Sequence, residues 1–483
     1  MAARLEKVAA QLSSSPAAGS AGKDTNATVA PRLLAAAQKM GLDVAGGKIR
    51  RTSSRFCLGV EHGDYNGTEL FGVGTDRYIW SACALFSVFI VLSLERRRPL
   101  GSSILTLLYS FFIFVVSPHP PSLPPSLADK PNGLGVIRLY SINVAEEGVV
   151  EVRPGDVPPP LDPATMHTWA RFPYGADYVL GVNGFKCTKG YDCVLFGNIP
   201  GGGMSRSASL SINLLLTMME VNGIGVPQLR NEFQMIELSQ QIENDYIGSP
   251  CGVLDQIMIY FAKAGMGTHF NPKTKKVSYV PLGSNAPPFA IMALDTGTNR
   301  PGLDKSTYKV RKMECDLFAA MLEQGGYGVT CLGDVRDDAT YERIAAAFRT
   351  THPNLVDRLT YIYKAQQNFY RMMAAWKAGD IETVGAIFRE DGNGLRDEYS
   401  ISGPELQTMC DIVRTIPGVW GERMLGGGDK GASGCIVALE AASTVIDTVA
   451  YAYPLSRPHF ADKYAVHGPL QICDGVLVLT GML

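Results

Sequence analysis

The sequence predicts an α+β protein of two domains. Three observations carry this. The 483-residue chain, 46% of it apolar, is long enough to bury two or three cores. Its N-terminal half contains alternating, strand-like runs, and its C-terminal half is dominated by helical periodicity.

The elements follow in order. Residues 1–47, rich in Ala, Ser and Gly, read as a mobile leader in which 31–41 suits a short helix. A first domain is expected over 48–290. Within it 76–84 reads as a strand, 138–144 alternates like one, and 148–152 suggests the hairpin partner of 138–144. The segment 210–219 is apolar all round, as a buried helix is, and 231–245 has helical periodicity. A second domain, 291–483, opens from the apolar strand 289–295. Helices then occupy 307–324, 340–348, 354–377 and 403–416. A glycine triplet at 426–428 precedes a strand at 434–439 and a helix near 444–450.

Composition excludes several classes. With 44 basic and 46 acidic residues, no bulk field points to nucleic acid or to an anionic membrane. Ten cysteines lie scattered without a Cys-x-x-Cys pair or a Cys/His cluster. They read as reduced thiols of a cytoplasmic protein without a zinc site. The first residues lack the pattern of a secretory signal.

One block, 85–127, is anomalous. Its apolar runs, 85–94 and 104–116, fall short of the roughly 20 residues a membrane-crossing helix needs. Five prolines within 117–125 then forbid helix or central strand. Of the 18 residues over 110–127, 14 are Phe, Leu, Ser or Pro. Their codons can begin with two pyrimidines, as the tract ending an intron would if translated. The block reads as a retained intron, the alternatives being a genuine loop or a membrane hairpin. Without it, the strand 76–84 would meet an Asn132-Gly133 turn and the next strand.

The chemistry concentrates in four motifs. The first is Gly197-Asn198-Ile199-Pro200-Gly201-Gly202-Gly203-Met204-Ser205-Arg206-Ser207-Ala208, running into the apolar segment. Three glycines let backbone N–H groups approach a ligand, and a helix starting at the serines would aim its positive end at an anion. No Gly-Lys-Ser/Thr follows, so this is not a Walker loop. The others are Arg55-Phe56-Cys57-Leu58-Gly59-Val60-Glu61-His62-Gly63-Asp64-Tyr65-Asn66, the stretch 243–256 containing Gly248-Ser249-Pro250-Cys251-Gly252-Val253-Leu254-Asp255, and Arg423-Met424-Leu425-Gly426-Gly427-Gly428.

Together, in this order, they resemble the signatures of the galactokinase branch of the GHMP sugar kinases, from about Arg55 onward. The resemblance implies an N-terminal ribosomal-protein-S5-like domain, a C-terminal ferredoxin-like domain and an active site in the cleft between them. It implies ATP as co-substrate, Mg²⁺, and phosphorylation of the anomeric hydroxyl of galactose. Asp255, just after the point where a helix would start, is the expected base, with Arg55 as its basic neighbour. Glu61, His62 and Asp64, the Gly252 backbone and the Tyr308 hydroxyl are the expected sugar contacts. Nucleotide contacts are expected from Gly201, Gly202, Gly203, Ser205, Arg206, Ser207 and Ala208, and from Gly427 and Gly428. Ser207 and Glu243 are the expected Mg²⁺ ligands.

Read in isolation, the same residues have plainer uses. Asp255 suits a helix cap, Glu243 a solvated helix face, and the glycines a turn. Cys57 and Arg206 depart from the family pattern; Arg206 would either contact phosphate or obstruct the loop. A kinase for galacturonate or arabinose, a non-catalytic sugar- and ATP-binding regulator on the same fold, and an inert product of mis-splicing remain as alternatives. Glu61 speaks against a uronate, which would bring a second carboxylate beside it.

Overall fold

The computed structural model describes residues 24–44, 46–85, 135–225, 228–298 and 307–479. The expected anomalous block lies, apart from Leu85, outside these residues, as do 1–23 of the expected leader. Residues 26–40 of that leader are folded. Helix α1 (Asn26–Met40) starts before Pro31, because Thr25 and Thr28 cap each other's backbone, and ends at the left-handed Gly41. It buries Val29, Ala30, Leu33 and Ala37 against Tyr78, Trp80, Ala82, Val194 and Phe196. The expectation of a mobile leader therefore fails for this stretch, since its apolar face has a sheet to cover.

Strands β1 (Lys48–Gly59) and β2 (Leu70–Leu85) form a long antiparallel pair, and β3 (Ile137–Ser141) and β4 (Val149–Val152) form the expected hairpin. Helix α2 (Arg171–Val182) leads to β5 (Tyr191–Gly197), and a glycine loop leads from there to α3 (Arg206–Val221). Next come α4 (Phe233–Gln241), a π-turn over Ile242–Ile247, and the short α5 (Leu254–Tyr260). The hairpin of β6 (Met266–Asn271) and β7 (Lys276–Pro281) joins the edge of β2.

The sheet runs β1-β2-β5-β3-β4, with a last strand, Val476–Leu479, on the other side of β1. Strand β5 is antiparallel to β2 and parallel to β3, so it separates them. The hairpin expected across Asn132-Gly133 is thus corrected: β2 and β3 are not neighbours. Turn residues and alternation locate strands, but a β-helix-β crossover decides which strand lies between which.

The second sheet begins with β8 (Phe289–Asp295). Helices α6 (Thr307–Gln324), α7 (Asp338–Phe348), α8 (Pro353–Ala378), α9 (Ile381–Asp397) and α10 (Pro404–Arg414) follow. Then come β9 (Val419–Met424), β10 (Ala432–Ala438), α11 (Ala442–Ser456), β11 (Ala465–Leu470) and β12 (Val476–Leu479). The order is β11-β8-β10-β9, all antiparallel. Strand periodicity divides its faces. Ala290, Met292, Leu294, Cys435 and Val437 pack on α10 and α11, whereas Ile291, Ala293 and Ile436 join the main core. Strand β12 returns to pair with β1, so residues 476–479 complete the first sheet. Among the described residues, no helix is long and apolar enough to cross a membrane.

Helix α9 has no counterpart among the sequence expectations. Its glycines disguise it, and they are what lets it lie on β9. A Cβ on Gly385 would stand 2.5 Å from Trp420, and one on Gly392 2.5 Å from the Arg423 side chain.

Candidate active site

Three loops converge on a cavity of about 370 Å³: the β1–β2 connection, the glycine loop before α3, and the β9–β10 turn. Arg55, near the end of β1, is buried at its floor and donates from Nε and Nη2 to one oxygen of Asp255, at 2.9 and 2.7 Å. Its Nη1 donates to the Gly203 carbonyl at 2.6 Å. Burial opposes the Arg55 charge, yet Asp255 and Glu61 hold it above the ordinary arginine range. Asp255 lies in the first turn of α5, and a third of its side chain is open to the cavity. The expected base and its basic neighbour are therefore joined.

Glu61, His62 and Asp64 all line the cavity from the β1–β2 connection. Glu61 Oε1 accepts the Gly426 N–H at 2.9 Å, and Arg423 stands 3.4 Å away. Burial pushes the Glu61 carboxyl above its usual range, opposed by Arg55 and Arg423. His62 is held with φ of 60°, in the left-handed region that polar residues occupy at constrained sites. Its Nδ1 meets the Tyr65 hydroxyl at 3.0 Å, which meets the Tyr399 hydroxyl at 2.8 Å. Asp64 accepts the Leu254 N–H on one oxygen and the Tyr65 N–H on the other, both at 3.1 Å. Burial pushes its carboxyl up to about 6. Gly252 lies against Asp64 so closely that a Cβ there would stand 1.9 Å from Oδ2. Tyr308, in the first turn of α6, reaches the same wall, its ring 5.3 Å from that of His62.

The glycine loop forms the opposite wall. Gly201, Gly202, Gly203, Ser205, Arg206 and Ser207 line it, and Gly427 joins from the β9–β10 turn. Ser205, with φ of 61°, precedes α3, whose first backbone bond runs from Ser209 to Ser205. The amides of Arg206, Ser207 and Ala208 thus precede the helical ladder, at the positive end of a helix of 16 residues. The buried Ser205 hydroxyl has no hydrogen-bond partner among the described residues. The Gly201 amide, by contrast, is taken by Asp295 at 3.2 Å.

Two expected members stand apart. The Ala208 side chain packs with Ile212 and Ile259, leaving only its amide to contribute. Gly428 does not line the cavity; a Cβ on it would meet the Ile401 carbonyl at 2.5 Å.

The expected metal ligands are adjacent. Ser207 donates to Glu243 at 2.9 Å, and the π-turn turns Glu243 toward α3. Burial, reinforced by the Asp255 charge, pushes the Glu243 carboxyl up to about 7. Among the described residues no group of three His, Cys, Asp or Glu could hold a metal by itself. A hydroxyl and one carboxylate suit instead a hard cation whose other ligands are phosphate oxygens and water.

Several cavity residues carry no signal that the motifs could supply. Trp169, Phe172, Val144 and Phe196 add apolar surface to the cavity lining, and Arg171 is among the lining residues as well. They come from a loop, α2 and β5, and only the fold assembles them. Arg423, within the fourth motif yet without an expected role, is buried behind Glu61.

Comparison with known proteins agrees with this geometry. A model of the GHMP kinases N terminal domain matches residues 175–263. The chain is 28% identical over 334 residues to a galactokinase of Exiguobacterium sibiricum, covering 68% of this chain and 80% of that one. It is 30% identical over 319 residues to a galactokinase of Lacticaseibacillus casei, covering 65% and 78%. In structure it is similar to Lactococcus lactis galactokinase complexed with galactose, with a TM-score of 0.72 at 22% identity over 93% of this chain and 99% of that one. Methanococcus jannaschii mevalonate kinase shares the fold at a TM-score of 0.54 and 11% identity, over 89% and 99%.

Proposed function

Because the chain belongs to the galactokinase family of the GHMP kinases, we infer that it transfers a phosphoryl group from ATP to the anomeric hydroxyl of galactose, giving galactose 1-phosphate. The observation that carries this reading is the Arg55–Asp255 pair, set where the acidic sugar-facing cluster meets the glycine loop. A base must reach the attacking hydroxyl, and a cation must offset charge on the transferred group. Two N–H groups of the Arg55 guanidinium hold one oxygen of Asp255, so that oxygen stays committed while the other can take the hydroxyl proton. Arg55 pairs with that carboxylate and places a positive group next to the Gly203 turn, where the phosphates would lie.

Glu61, His62, Asp64 and Tyr308 hold the sugar, and each offers a polar atom to a hydroxyl. The amides at the start of α3, with the Ser205 hydroxyl and Arg206, take the phosphates. The apolar surface that Trp169 and Phe172 add to the cavity takes the base. Ser207 and Glu243 would hold Mg²⁺, which supplies charge neutralisation at the phosphates. Free thiols at all ten cysteines and a nucleotide co-substrate fit a cytoplasmic location.

The test is ADP release over a panel of galactose, galacturonate, arabinose and glucose, with product identified by NMR. Release with galactose above the others, yielding the 1-phosphate, is expected. Galactose binding without any ADP release would establish the regulator reading instead.

A further inference from the structure

Arg423 is buried more completely than its charge would tolerate without partners. From β9 it sends Nη1 to Asp391 on α9 and Nη2 to the Cys57 carbonyl at 2.9 Å, with Glu61 Oε1 3.4 Å away. Its guanidinium lies over the Phe388 ring at 4.4 Å, and its Nε has no hydrogen-bond partner among the described residues. It does not line the cavity, so it cannot touch a bound sugar or nucleotide there.

We propose that Arg423 is a positioning residue: it fixes Glu61 as a charged hydrogen-bond acceptor in the sugar-facing wall. The inference rests on the sugar role given to Glu61 above. Glu61 belongs to the β1–β2 connection, yet the Gly426 N–H that donates to Oε1 and the Arg423 guanidinium that pairs with it come from the turn after β9 and from β9. Asp391, Arg423, Glu61, Arg55 and Asp255 form a chain of alternating charge from α9 to the candidate base. Remove the second member and Glu61 keeps a single cationic neighbour, Arg55.

Other groups facing Glu61 do not replace Arg423. From β1 come Arg55 and the Cys57 thiol, which burial pushes up to about 12 and so keeps neutral. The carboxylates of Asp255 on α5 and Asp64 on the same connection are of like sign and oppose its charge. The Tyr361 phenol of α8 donates to the Glu61 carbonyl, not to its carboxylate. Asp391 sits behind Arg423.

The experiment compares wild type, Arg423→Met, Arg423→Lys, Glu61→Gln and the Glu61→Gln/Arg423→Met double variant. Galactose KM and kcat are measured from pH 6 to 9, with calorimetric galactose affinity and thermal melts alongside. Arg423→Met should raise the galactose KM about tenfold or more, in line with the loss of an ion-pair partner by a buried carboxylate, and change kcat little. Relative to wild type, its kcat/KM should climb with pH, because Glu61 would ionise later. Arg423→Lys should keep the wild-type pH profile with a severalfold higher KM. In the Glu61→Gln background, Arg423→Met should weaken affinity no further.

An equal loss in that background, or an unchanged KM and pH profile, overturns the proposal. Should Arg423→Met not fold, a shifted pH profile in Arg423→Lys overturns it alone. A wild type that phosphorylates another sugar of the panel overturns the galactose assignment instead, and the same variants are then read against that sugar.

Discussion

Replacing Gly252 by alanine tests the sugar site most sharply. The added methyl would stand 1.9 Å from Asp64 Oδ2 and 2.2 Å from its carboxyl carbon, so one of the two must move by more than about 1 Å to reach contact distance. The carboxylate cannot swing freely. Its two oxygens accept the Leu254 and Tyr65 amides at 3.1 Å, and each such bond to a charged group contributes about 1.5–3 kcal/mol. If the backbone moves instead, the shift passes through Val253 and Leu254 into Asp255. Either route misplaces a group at the sugar, and a displacement of that size costs on the order of 10²-fold in rate. We expect kcat/KM for galactose to fall about 10²-fold while the KM for ATP stays near wild type, since the glycine loop is untouched. ADP release under varied galactose and varied ATP measures both, and a thermal melt confirms folding. In an Asp64→Ala background the methyl meets no carboxylate, so Gly252→Ala should there add little. Turnover within threefold of wild type, or an ATP KM rising as much as that for galactose, would refute the reasoning.

Asp255→Asn leaves an oxygen for Arg55 but removes the proton acceptor; turnover should drop about 10²- to 10⁴-fold with calorimetric galactose affinity kept within severalfold. Glu243→Gln should raise the Mg²⁺ concentration for half-maximal activity at saturating sugar, because a neutral amide replaces a hard anion. An unchanged requirement would leave Glu243 as only a partner of Ser207 and Gln256. Asp64, raised by burial to about 6, is charged above that pH and protonated below it. The galactose KM should therefore rise as pH falls through about 6, and a KM flat from pH 5 to 8 would remove Asp64 from the sugar contacts.

The sequence was most readable where one short stretch carries its own geometry. The glycine loop running into an apolar helix, the Glu243–Ser207 contact and the Arg55–Asp255 pair all follow from motifs whose residues the fold brings together. The strand over 289–295 and the helix over 307–324 end where expected, because apolar alternation and helical periodicity are local. Legibility failed where burial depends on distant partners. Strand β1 begins Lys-Ile-Arg-Arg-Thr-Ser-Ser-Arg, which looks like a surface segment. Yet Arg50 is neutralised by Glu220, Arg51 lies over the Tyr78 ring at 4.4 Å, and Arg55 is held by Asp255. The same holds for Arg423, whose partners are 32 and 362 positions away in Asp391 and Glu61.

Sheet order was the other illegible quantity, and it sharpens the question of residues 86–127. Strand β2 ends at Leu85, opposite Tyr191, and β3 begins beside Asp192, which pairs with Arg138. Both termini therefore reach the same end of β5, one strand spacing to either side, about 10 Å apart. Excision of 86–127 leaves 128–136 as the link, a stretch that can span about 30 Å when extended. No strand pairing, and no residue of the candidate site, would have to move to close it. The closure entropy of the shorter link also differs little from that of the longer one, since it grows only with the logarithm of length. The excised form should thus melt at or above the temperature of the full chain and keep its galactose and ATP KM values. Removal of two apolar runs should raise the soluble yield. Insoluble or inactive protein after excision, with the full chain soluble and active, would make this block a working part of the molecule and end its reading as a retained intron.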